Sequence, residues 1–270
     1  MIGSIRLVVA LGSVVASTLV LVPLQLIAMK TKLWSEWRVL RLWHRGNCRA
    51  LGFRVHQKGE LTARRPLVVA ANHVSWTDIS VIGSHCEVSF IAKADMATWP
   101  VMGWLARLQR TIFIERELRR TSGKQAGEIA RRLAAGEAVV LFAEGTTGDG
   151  NLVLPFKSTL FGAATMALQE GAIDKVYIQP LTIAYTRIQG MPMGRRGRSL
   201  AAWIGDTELA PHAAALLKEG AVDVELHFGE PIEFLPGDSR KEATRRAEAD
   251  VRAMLETALA RPEPSKRRPA

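Results

Sequence analysis

The sequence predicts an α/β fold, with a mixed sheet flanked by helices and preceded by an N-terminal helical segment that anchors the chain to a membrane. From Pro66 onward, apolar strand-like runs alternate with helix-like segments, which is typical of α/β proteins. The N-terminus holds a long uncharged apolar run. With 270 residues, of which 48% are hydrophobic, the chain can bury a substantial core as one domain with appendages.

The apolar run predicts membrane anchoring. Residues 7–29 are 23 positions without a charge, which is long enough to cross a bilayer with some tilt. A cleaved signal peptide is the main alternative, but the run is too long for a typical signal, and Lys30 and Lys32 follow it directly. Pro23 and Gln25 are expected to break or kink the second half, so a half-buried or re-entrant helix stays open.

Residues 32–45 form a second N-terminal segment, rich in tryptophan and arginine. In a helix that continues to residue 49, four arginines share one stripe: Arg38, Arg41, Arg45 and Arg49. Such a helix suits the headgroup layer of a membrane, and a surface helix with its tryptophans in the core is the alternative. Cations follow the apolar run in far greater number than they precede it. The positive-inside tendency therefore predicts the body of the protein on the cytoplasmic side of a cell inner membrane.

Apolar runs and helical periodicity predict the remaining elements. The strand candidates are residues 67–71, 88–92, 138–143, 176–185 and 222–228. The helix candidates are residues 121–135, 157–169 and 240–259. We expect a membrane-anchoring region over residues 1–52 and a folded domain over residues 53–260. The proline-rich basic tail, residues 261–270, is expected to be disordered.

The net charge of +10 indicates anionic partners: a membrane surface, an acidic substrate or nucleic acid. We expect no nucleic-acid partner, because no helix-turn-helix, zinc knuckle or aromatic RNA-binding signature occurs. The two cysteines, Cys48 and Cys86, show no pairing pattern, which favours a reducing compartment. The basic loop at residues 191–198 is either a solvated turn or a contact with anionic lipid headgroups.

A histidine and an aspartate stand five positions apart directly after the first strand candidate. His73 leaves that strand, and Asp78 ends the run Asn-His-Val-Ser-Trp-Thr-Asp. A histidine aimed by a carboxylate can take the proton of a hydroxyl as that hydroxyl attacks, and the carboxylate stabilises the imidazolium. A hydrogen-bonded loop histidine beside a helix-capping aspartate is the alternative. The pair therefore needs support from other segments.

Three further segments follow the pair in order. Residues 111–116 hold Phe113 and Arg116 in an F-x-x-R pattern, residues 142–147 end a strand in Glu-Gly-Thr-Thr, and residues 176–181 form an apolar strand containing Pro180. With His73 and Asp78, these segments resemble the four ordered blocks of the glycerolipid acyltransferase superfamily, of the 1-acylglycerol-3-phosphate acyltransferase type. The resemblance runs from about residue 66 to residue 185 and includes the hydrophobic N-terminus.

The resemblance implies an acyl transfer to a lyso-lipid. His73 would deprotonate the acceptor hydroxyl and Asp78 would orient it, so that the hydroxyl attacks an acyl thioester directly, with no acyl-enzyme. The backbone around Asn72 and Ser75 would help stabilise the oxyanion. The implied partners are the membrane, a lyso-lipid acceptor and a thioester of acyl carrier protein or coenzyme A. We expect no metal and no cofactor.

The resemblance also implies a set of substrate-binding residues. Arg116 and Lys93 would hold the anionic headgroup, because a guanidinium fork matches phosphate or carboxylate oxygens. Glu144 and Gly145 would shape the same pocket, and Pro180 would bend the last strand near the acyl chain. The motif residues Phe113, Thr146 and Thr147 complete the set.

One departure from the family pattern concerns the headgroup. Phosphate-using relatives carry arginine after Glu-Gly-Thr, whereas this chain has Thr147, followed by Asp149. Losing one charge-assisted contact to a phosphate costs about 1.5–3 kcal/mol, and a carboxylate repels a dianion but attracts an ammonium. This variant is similar to the branch that acylates lyso-ornithine lipid, a zwitterion with an amine and a carboxylate. Lysophosphatidic acid stays open as the alternative acceptor.

Other functions have less support in the residues. A non-catalytic protein that binds anionic membranes explains the charge and the tryptophans, but not the order of the four segments. A hydrolase lacks the G-x-S-x-G nucleophile elbow. A metalloenzyme lacks H-E-x-x-H or clustered histidine and cysteine, although His85 and Glu87 lie close in sequence.

Overall fold

The structure is a computed structural model that describes residues 2–114, 122–169 and 173–262, with the side chains of residues 122–126 left out. Its strands are β1 (Phe53–Lys58), β2 (Leu67–Ala71), β3 (Ser89–Lys93), β4 (Ile112–Ile114), β5 (Ala138–Phe142), β6 (Val176–Ile188), β7 (Met191–Pro192), β8 (Val222–Phe228) and β9 (Ile232–Phe234). Its α-helices are α1 (Ile2–Thr31), α2 (Glu36–Leu51), α3 (Asp78–Gly83), α4 (Met102–Leu108), α5 (Ser122–Ala134), α6 (Gly162–Gln169), α7 (Arg195–Arg198), α8 (Leu209–Glu219) and α9 (Arg240–Ala260). Two 3-10 helices cover Ala94–Thr98 and Ser158–Phe161.

The strands form one mixed sheet, which confirms the predicted fold class. Its order is β1-β8-β6-β2-β5-β3-β4, with β7 and β9 paired to β6. β2 runs parallel to β5 and β6, and β3 runs parallel to β5 and β4. The carboxyl ends of β2, β3, β4 and β5 therefore meet at one edge of the sheet, where ligands of open α/β sheets bind.

Helices cover both faces of the sheet. On one face, α5, α6 and α9 pack against inward residues such as Val68 and Ala70 of β2. On the other face, α2, α3 and α8 pack against Leu67, Val69 and Ala71. Successive residues of a strand point to opposite faces, so β2 reads as an unbroken apolar run because both of its faces are buried.

All five strand candidates are present, and the three predicted helices lie within two residues of their ends, except that a 3-10 helix over Ser158–Phe161 precedes α6. The predicted strands did not include β1, β4, β7 or β9, and the predicted helices did not include α3, α4, α7 or α8. β1 lies at the end of the sheet order, and β4 and β9 have only three residues each, too few for a period of two to stand out. Most of the predicted tail, residues 263–270, lies outside the described residues.

The N-terminal run forms one long helix that is a candidate membrane anchor. By length and composition α1 could cross a bilayer, and only 11% of its most apolar window is buried. α1 continues through Pro23, so the expected break is wrong, and the kink expected there stays a prediction. Gln25 lies buried against the domain and its Nε2 donates to the carbonyl of Leu108, 3.3 Å away. At the other end, Arg6 donates to the carbonyl of Glu219.

The arginine and tryptophan helix is more embedded than its amphipathic pattern suggests. Trp43 Nε1 donates to Thr18 Oγ1 of α1 at 2.9 Å. Arg41 pairs with Glu87, and Arg45 Nε donates to the carbonyl of Ser84 at 2.8 Å. Arg38, Arg45 and Arg49 of the stripe are exposed, and Trp34, Trp37 and Trp43 are half-buried. α2 thus packs on the protein without placing its tryptophans in the core, and its contact with lipid headgroups stays a prediction.

Candidate active site

The site is built at the point where β2 ends. Asn72 is buried, and its amide bridges to β6: Nδ2 donates to the carbonyl of Ile183 at 3.0 Å, and Oδ1 accepts from the Ile183 N–H at 2.8 Å. These two hydrogen bonds fix the chain as it leaves the sheet, because both polar atoms of the Asn72 side chain are satisfied by the backbone of one residue. His73 comes next and projects from a rigid point.

His73 and Asp78 are in contact. His73 Nδ1 lies 2.8 Å from Asp78 Oδ2, and the side chain of His73 is 19% exposed whereas that of Asp78 is fully buried. The ring of His73 stacks on Phe142, the last residue of β5, with centroids 3.9 Å apart. Since a carboxylate only accepts, Nδ1 is the nitrogen that carries the proton in the neutral ring, and Nε2 is then the nitrogen with the free lone pair. The arrangement suits a base whose accepting nitrogen is Nε2.

Asp78 is held by four donors, three on one oxygen. Its Oδ2 accepts from the ring of His73 and from the backbone N–H groups of Val74 and Ser75, at 2.8 and 3.0 Å. Its Oδ1 accepts from Tyr185 Oη at 2.6 Å. Charge-assisted bonds of this kind offset the cost of burying a carboxylate. The Ser75 N–H is thus engaged by Asp78, which leaves it poorly placed as an oxyanion donor.

Tyr185 is the residue that sequence reasoning missed. It is fully buried in β6, and its hydroxyl also contacts Thr77 Oγ1 at 2.6 Å. Burial, followed by the charge of Asp78, raises the pKa of Tyr185 well above its ordinary value. The phenol therefore stays protonated and keeps donating to the carboxylate. Its only sequence signal is a polar hydroxyl at the end of a buried apolar strand.

We expect Tyr185→Phe to lower kcat roughly tenfold, less than the 10²–10⁴-fold effect of removing a general base. It also leaves Asp78 Oδ1 and Thr77 without a buried partner, which lowers the free energy of unfolding by about 1–3 kcal/mol. Steady-state kinetics and denaturant unfolding measure both effects. Tyr177 is the other tyrosine of the chain and is only half-buried, so Tyr177→Phe is the matched control. Equal kinetics for the two variants would contradict the expectation.

Glu144 contacts the backbone of the histidine segment. Its Oε2 accepts from the His73 N–H at 3.2 Å, and its Oε1 accepts from the Leu154 N–H at 3.0 Å. In addition, the Gly148 N–H donates to the carbonyl of His73 at 2.7 Å. Glu144 is 2% exposed. The loop after β5 therefore binds both the N–H and the carbonyl of His73, and Glu144 joins that loop to the end of β2.

Burial raises the pKa of Glu144 to about 7, against the opposing effect of the Leu154 and His73 N–H groups. The rise from 4.5 to about 7 is equivalent to roughly 3 kcal/mol. The folded protein keeps this proton up to about pH 7, whereas the unfolded chain releases it near pH 4.5. The contribution of Glu144 to the free energy of unfolding is therefore complete below pH 4.5 and is lost as the pH rises through 7.

Glu144→Gln removes this titration, because an amide is neutral at every pH. We expect the free energy of unfolding of the wild type, relative to the Gln variant, to fall by about 3 kcal/mol between pH 4.5 and 8. Denaturant unfolding at several pH values measures the difference. The amide fits two N–H donors less well, which changes the free energy of unfolding of the Gln variant by an amount that does not depend on pH. A difference in this free energy between the two proteins that stays constant with pH would therefore refute the titration of Glu144.

The Glu-Gly-Thr-Thr loop forms one wall beside His73. Gly145 adopts φ +71°, a left-handed conformation that favours glycine. Thr146 is exposed. Thr147 Oγ1 donates to the carbonyl of Trp203, and the Trp203 N–H donates to the carbonyl of Val74 at 2.9 Å. The hydroxyl at 147 thus ties the loop to the segment before α8.

The basic loop at residues 191–198 is joined to this wall. Arg198 is buried: Nε donates to Asn151 Oδ1 and one terminal nitrogen donates to the carbonyl of Met193, both at 2.7 Å. Asn151 in turn donates to both carboxylate oxygens of Asp149, at 2.8 and 3.0 Å. These bonds outweigh partial burial and lower the pKa of Asp149. Arg195 and Arg196 are exposed.

The other predicted site residues lie in different places. Lys93 ends β3 at the same edge of the sheet as His73, and its Nζ lies 2.8 Å from Asp95. Phe113 lies in β4, paired with Ala92, and the Arg107 guanidinium lies 5.8 Å from its ring centroid. Arg116 is outside the described residues.

Pro180 lies within β6, paired with Ala70 of β2, and the strand continues through it. At Pro180 the antiparallel partner of β6 changes from β9 to β8. The N–H that proline lacks therefore interrupts neither of these two hydrogen-bond ladders. Its contact with an acyl chain stays a prediction.

Among the residues that the structure describes, no group of three histidine, cysteine, aspartate or glutamate side chains is placed to hold a metal ion. The groups that converge around His73 are a carboxylate, a phenol and backbone donors.

Comparison with known proteins identifies the family. Residues 52–184 match the family model described as Acyltransferase. Over 259 residues the chain is 48% identical to a lyso-ornithine lipid O-acyltransferase of Brucella abortus, covering 96% of this chain and 97% of the relative. This chain belongs to the acyltransferase family. It is an enzyme of that family, and His73, Asp78 and Glu144 all fall inside the matched residues.

A second relative and a solved structure agree with this assignment. A lyso-ornithine lipid O-acyltransferase of Rhizobium meliloti is 47% identical over 96% of this chain and 89% of its own length. The crystal structure of the 1-acyl-sn-glycerophosphate acyltransferase of Thermotoga maritima superposes with a TM-score of 0.65 at 21% identity, covering 97% of this chain and 99% of that chain. At this identity the likeness shows the acyltransferase fold.

Proposed function

We propose that this acyltransferase is a membrane-bound enzyme that moves a fatty acyl chain from an acyl thioester to the hydroxyl of lyso-ornithine lipid, giving ornithine lipid. The observation that carries the proposal is the contact of 2.8 Å between His73 and Asp78, in a chain that shares nearly half its residues with relatives named for that reaction. The thioester is carried by acyl carrier protein or coenzyme A.

The proposed mechanism uses His73 first as a base and then as an acid. The acceptor hydroxyl gives its proton to His73 Nε2 while its oxygen attacks the thioester carbonyl. Asp78 stabilises the imidazolium that results. The tetrahedral intermediate collapses as the C–S bond breaks, and the imidazolium proton passes to the leaving thiolate. The products are an ester and a free thiol, and His73 returns to its starting state.

The proposed acceptor site surrounds this pair. Lys93 and Arg116 bind the ornithine carboxylate, and Asp149 binds the ornithine ammonium. Two observations support a zwitterion: Asp149 is an exposed carboxylate whose hydrogen bonds favour the charged form, and Thr147 places a hydroxyl, itself bound to Trp203, where phosphate-using relatives carry arginine. Phe113, Gly145, Thr146 and Pro180 line the rest of the site in this proposal.

Membrane association follows from α1 in this proposal. The helix exposes many large apolar side chains along its length, among them Val8, Val15 and Leu19 at 57–70% exposure, a surface that water disfavours and lipid accepts. The same helix contacts the domain at both ends, through Arg6 and Gln25. We place the protein on the cytoplasmic face of the inner membrane, by the excess of cations after α1.

Acylation of 1-acylglycerol-3-phosphate is the alternative, because the four ordered sequence segments also resemble acyltransferases of that type. The test offers both acceptors in identical mixed micelles, with acyl carrier protein and coenzyme A thioesters in separate arms. We expect kcat/KM for lyso-ornithine lipid to exceed that for the phosphate by at least tenfold, because a missing charge-assisted bond is worth about 1.5–3 kcal/mol. A preference for the phosphate would refute the headgroup assignment.

A pair of arginine variants sharpens this test. Thr147→Arg restores the guanidinium of phosphate-using relatives and is expected to raise the phosphate rate by about tenfold or more. Leu152→Arg places the same charge on an exposed residue of the same loop that is outside the proposed acceptor site, and it serves as the matched control. If both variants raise the phosphate rate equally, added surface charge explains the gain and residue 147 has no special role.

A further inference from the structure

A cluster of exposed apolar side chains lies between β3 and β4. Trp99, Val101, Met102 and Trp104 are 38, 68, 46 and 45% exposed, all within six residues. We call this cluster the edge patch. A large contiguous apolar patch that is exposed to water is unusual and marks an interaction site.

The backbone that carries the edge patch is tightly packed. Gly103 is buried, and its N–H donates to the carbonyl of Trp99 at 2.9 Å. A Cβ at Gly103 would lie 2.4 Å from the carbonyl oxygen of Ala97, so the turn closes too tightly for a larger residue. Val101 adopts φ +62°, which is costly for a β-branched side chain. The fold therefore holds these side chains outward at a definite place.

The topology puts the edge patch beside the site. It follows β3 just as His73 follows β2, and both strands run in the same direction through β5. The patch thus lies at the carboxyl edge of the sheet, where an acceptor must reach His73. It also continues toward α1, because Gln25 of α1 bonds to Leu108 of α4, and apolar residues of both helices line one small cavity.

We propose that the edge patch inserts into the lipid bilayer and, together with α1, seats the His73 edge of the sheet against the membrane. This inference rests on the proposed function, in which the acceptor arrives from the bilayer. The chemistry of the patch fits a membrane interface, where tryptophan rings sit at headgroup level. Arg107 is exposed one turn along α4 from Trp104 and donates to the carbonyl of Ala97, and its charge is placed to meet anionic headgroups.

A bilayer fits the patch better than a second copy of the chain. α4 and α1 meet at a small cavity lined by Leu105 and Leu108 of α4 and by Leu21 and Val22 of α1, and α1 is a candidate membrane helix with exposed apolar side chains of its own. A bilayer covers both surfaces at once, whereas a protein partner must match a long helix and a short turn together. In this arrangement the edge patch and the acyl acceptor both lie in the bilayer, so the lyso-lipid reaches the site without passing through water.

The test is the variant Val101→Asn, Met102→Gln and Trp104→Gln, compared with wild type as full-length protein. Asparagine tolerates the left-handed conformation at 101, and glutamine is a good helix former at 102 and 104, so the fold is retained. Activity is measured on lyso-ornithine lipid in vesicles containing anionic lipid and, separately, in detergent micelles. We expect vesicle activity to fall about tenfold, with micellar activity within about twofold of wild type.

Leu235→Gln is the matched control. Leu235 is 43% exposed and follows β9, whose residues pair with the beginning of β6, so it lies at the opposite edge of the sheet from His73. This variant should behave as wild type on vesicles. Equal vesicle activity of wild type and the triple variant would overturn the proposal. A wild type that is dimeric in solution, with a triple variant that is monomeric, would also overturn it, because the patch would then be a contact between copies.

A physical readout separates this proposal from the proposed function. Tryptophan fluorescence is quenched by bromine atoms on lipid chains, and Trp99→Phe with Trp104→Phe removes two of the seven tryptophans. We expect the quenched fraction of vesicle-bound protein to drop in this double variant. An unchanged fraction refutes insertion of the patch even if the enzyme is active. Quenching without turnover of any lyso-lipid instead refutes the proposed function and leaves the patch standing.

Discussion

His73→Ala is expected to lower kcat for acyl transfer by about 10²–10⁴-fold, the contribution of a positioned general base. His73 is the one side chain at the end of β2 that combines solvent access with a carboxylate partner at 2.8 Å, and no other group bonded to Asp78 can take its place. Val74 and Ser75 contribute only backbone N–H groups, and Tyr185 already donates to the carboxylate. Single-turnover transfer of a radiolabelled acyl chain measures the loss.

A second histidine supplies the control for this experiment. His85 is half-buried after α3, and its Nδ1 lies 2.7 Å from Ser84 Oγ, so His85→Ala should retain wild-type activity. Vesicle binding by both variants should match wild type, because neither residue belongs to α1 or the edge patch. Wild-type turnover in the His73 variant would eliminate the base mechanism. Vesicle binding without turnover in the wild type itself would favour a non-catalytic membrane protein.

The sequence could show the histidine and aspartate as a pair because their contact is local. Only four residues separate them, and Asp78 is the first residue of α3, so spacing alone brings them together. Tyr185 is 107 residues from Asp78, and their contact depends on β6 pairing with β2. Glu144 shows the same limit: its motif marks it as a site residue, but its bond to the His73 N–H requires β5 beside β2.

The arginine stripe shows why a pattern does not identify a partner. Helical spacing correctly places Arg41 and Arg45 on one face of α2, but it does not reveal that Glu87 and the carbonyl of Ser84 lie opposite them. The edge patch was missed for a related reason. Trp99, Val101, Met102 and Trp104 have no period that distinguishes them from core residues, and only the folded chain shows that they face outward.

Asp78→Asn is expected to lower kcat by about 10²–10³-fold, a range set by the loss of charge beside a base that contributes about 10²–10⁴-fold. The N–H groups of Val74 and Ser75 both point at Oδ2, so the amide oxygen takes that position and the amide nitrogen turns toward Tyr185. His73 then keeps its tautomer, with Nδ1–H still donating. What is lost is the negative charge that stabilises the imidazolium. Bonds to a neutral acceptor are also weaker, which lowers the free energy of unfolding by about 1–3 kcal/mol. Asp206→Asn, at an exposed carboxylate, is the control.

The double variant, His73→Ala with Asp78→Asn, separates an orienting role from an independent one. If Asp78 acts through His73, adding Asp78→Asn to His73→Ala changes kcat by less than about threefold, because residues that act as a unit are not additive. The loss of stability from Asp78→Asn persists in the double variant, since the bonds to Val74, Ser75 and Tyr185 do not depend on His73. Acyl transfer rates and denaturant unfolding of the four proteins complete the cycle. Multiplicative losses in rate would show that Asp78 serves the reaction by a route other than His73.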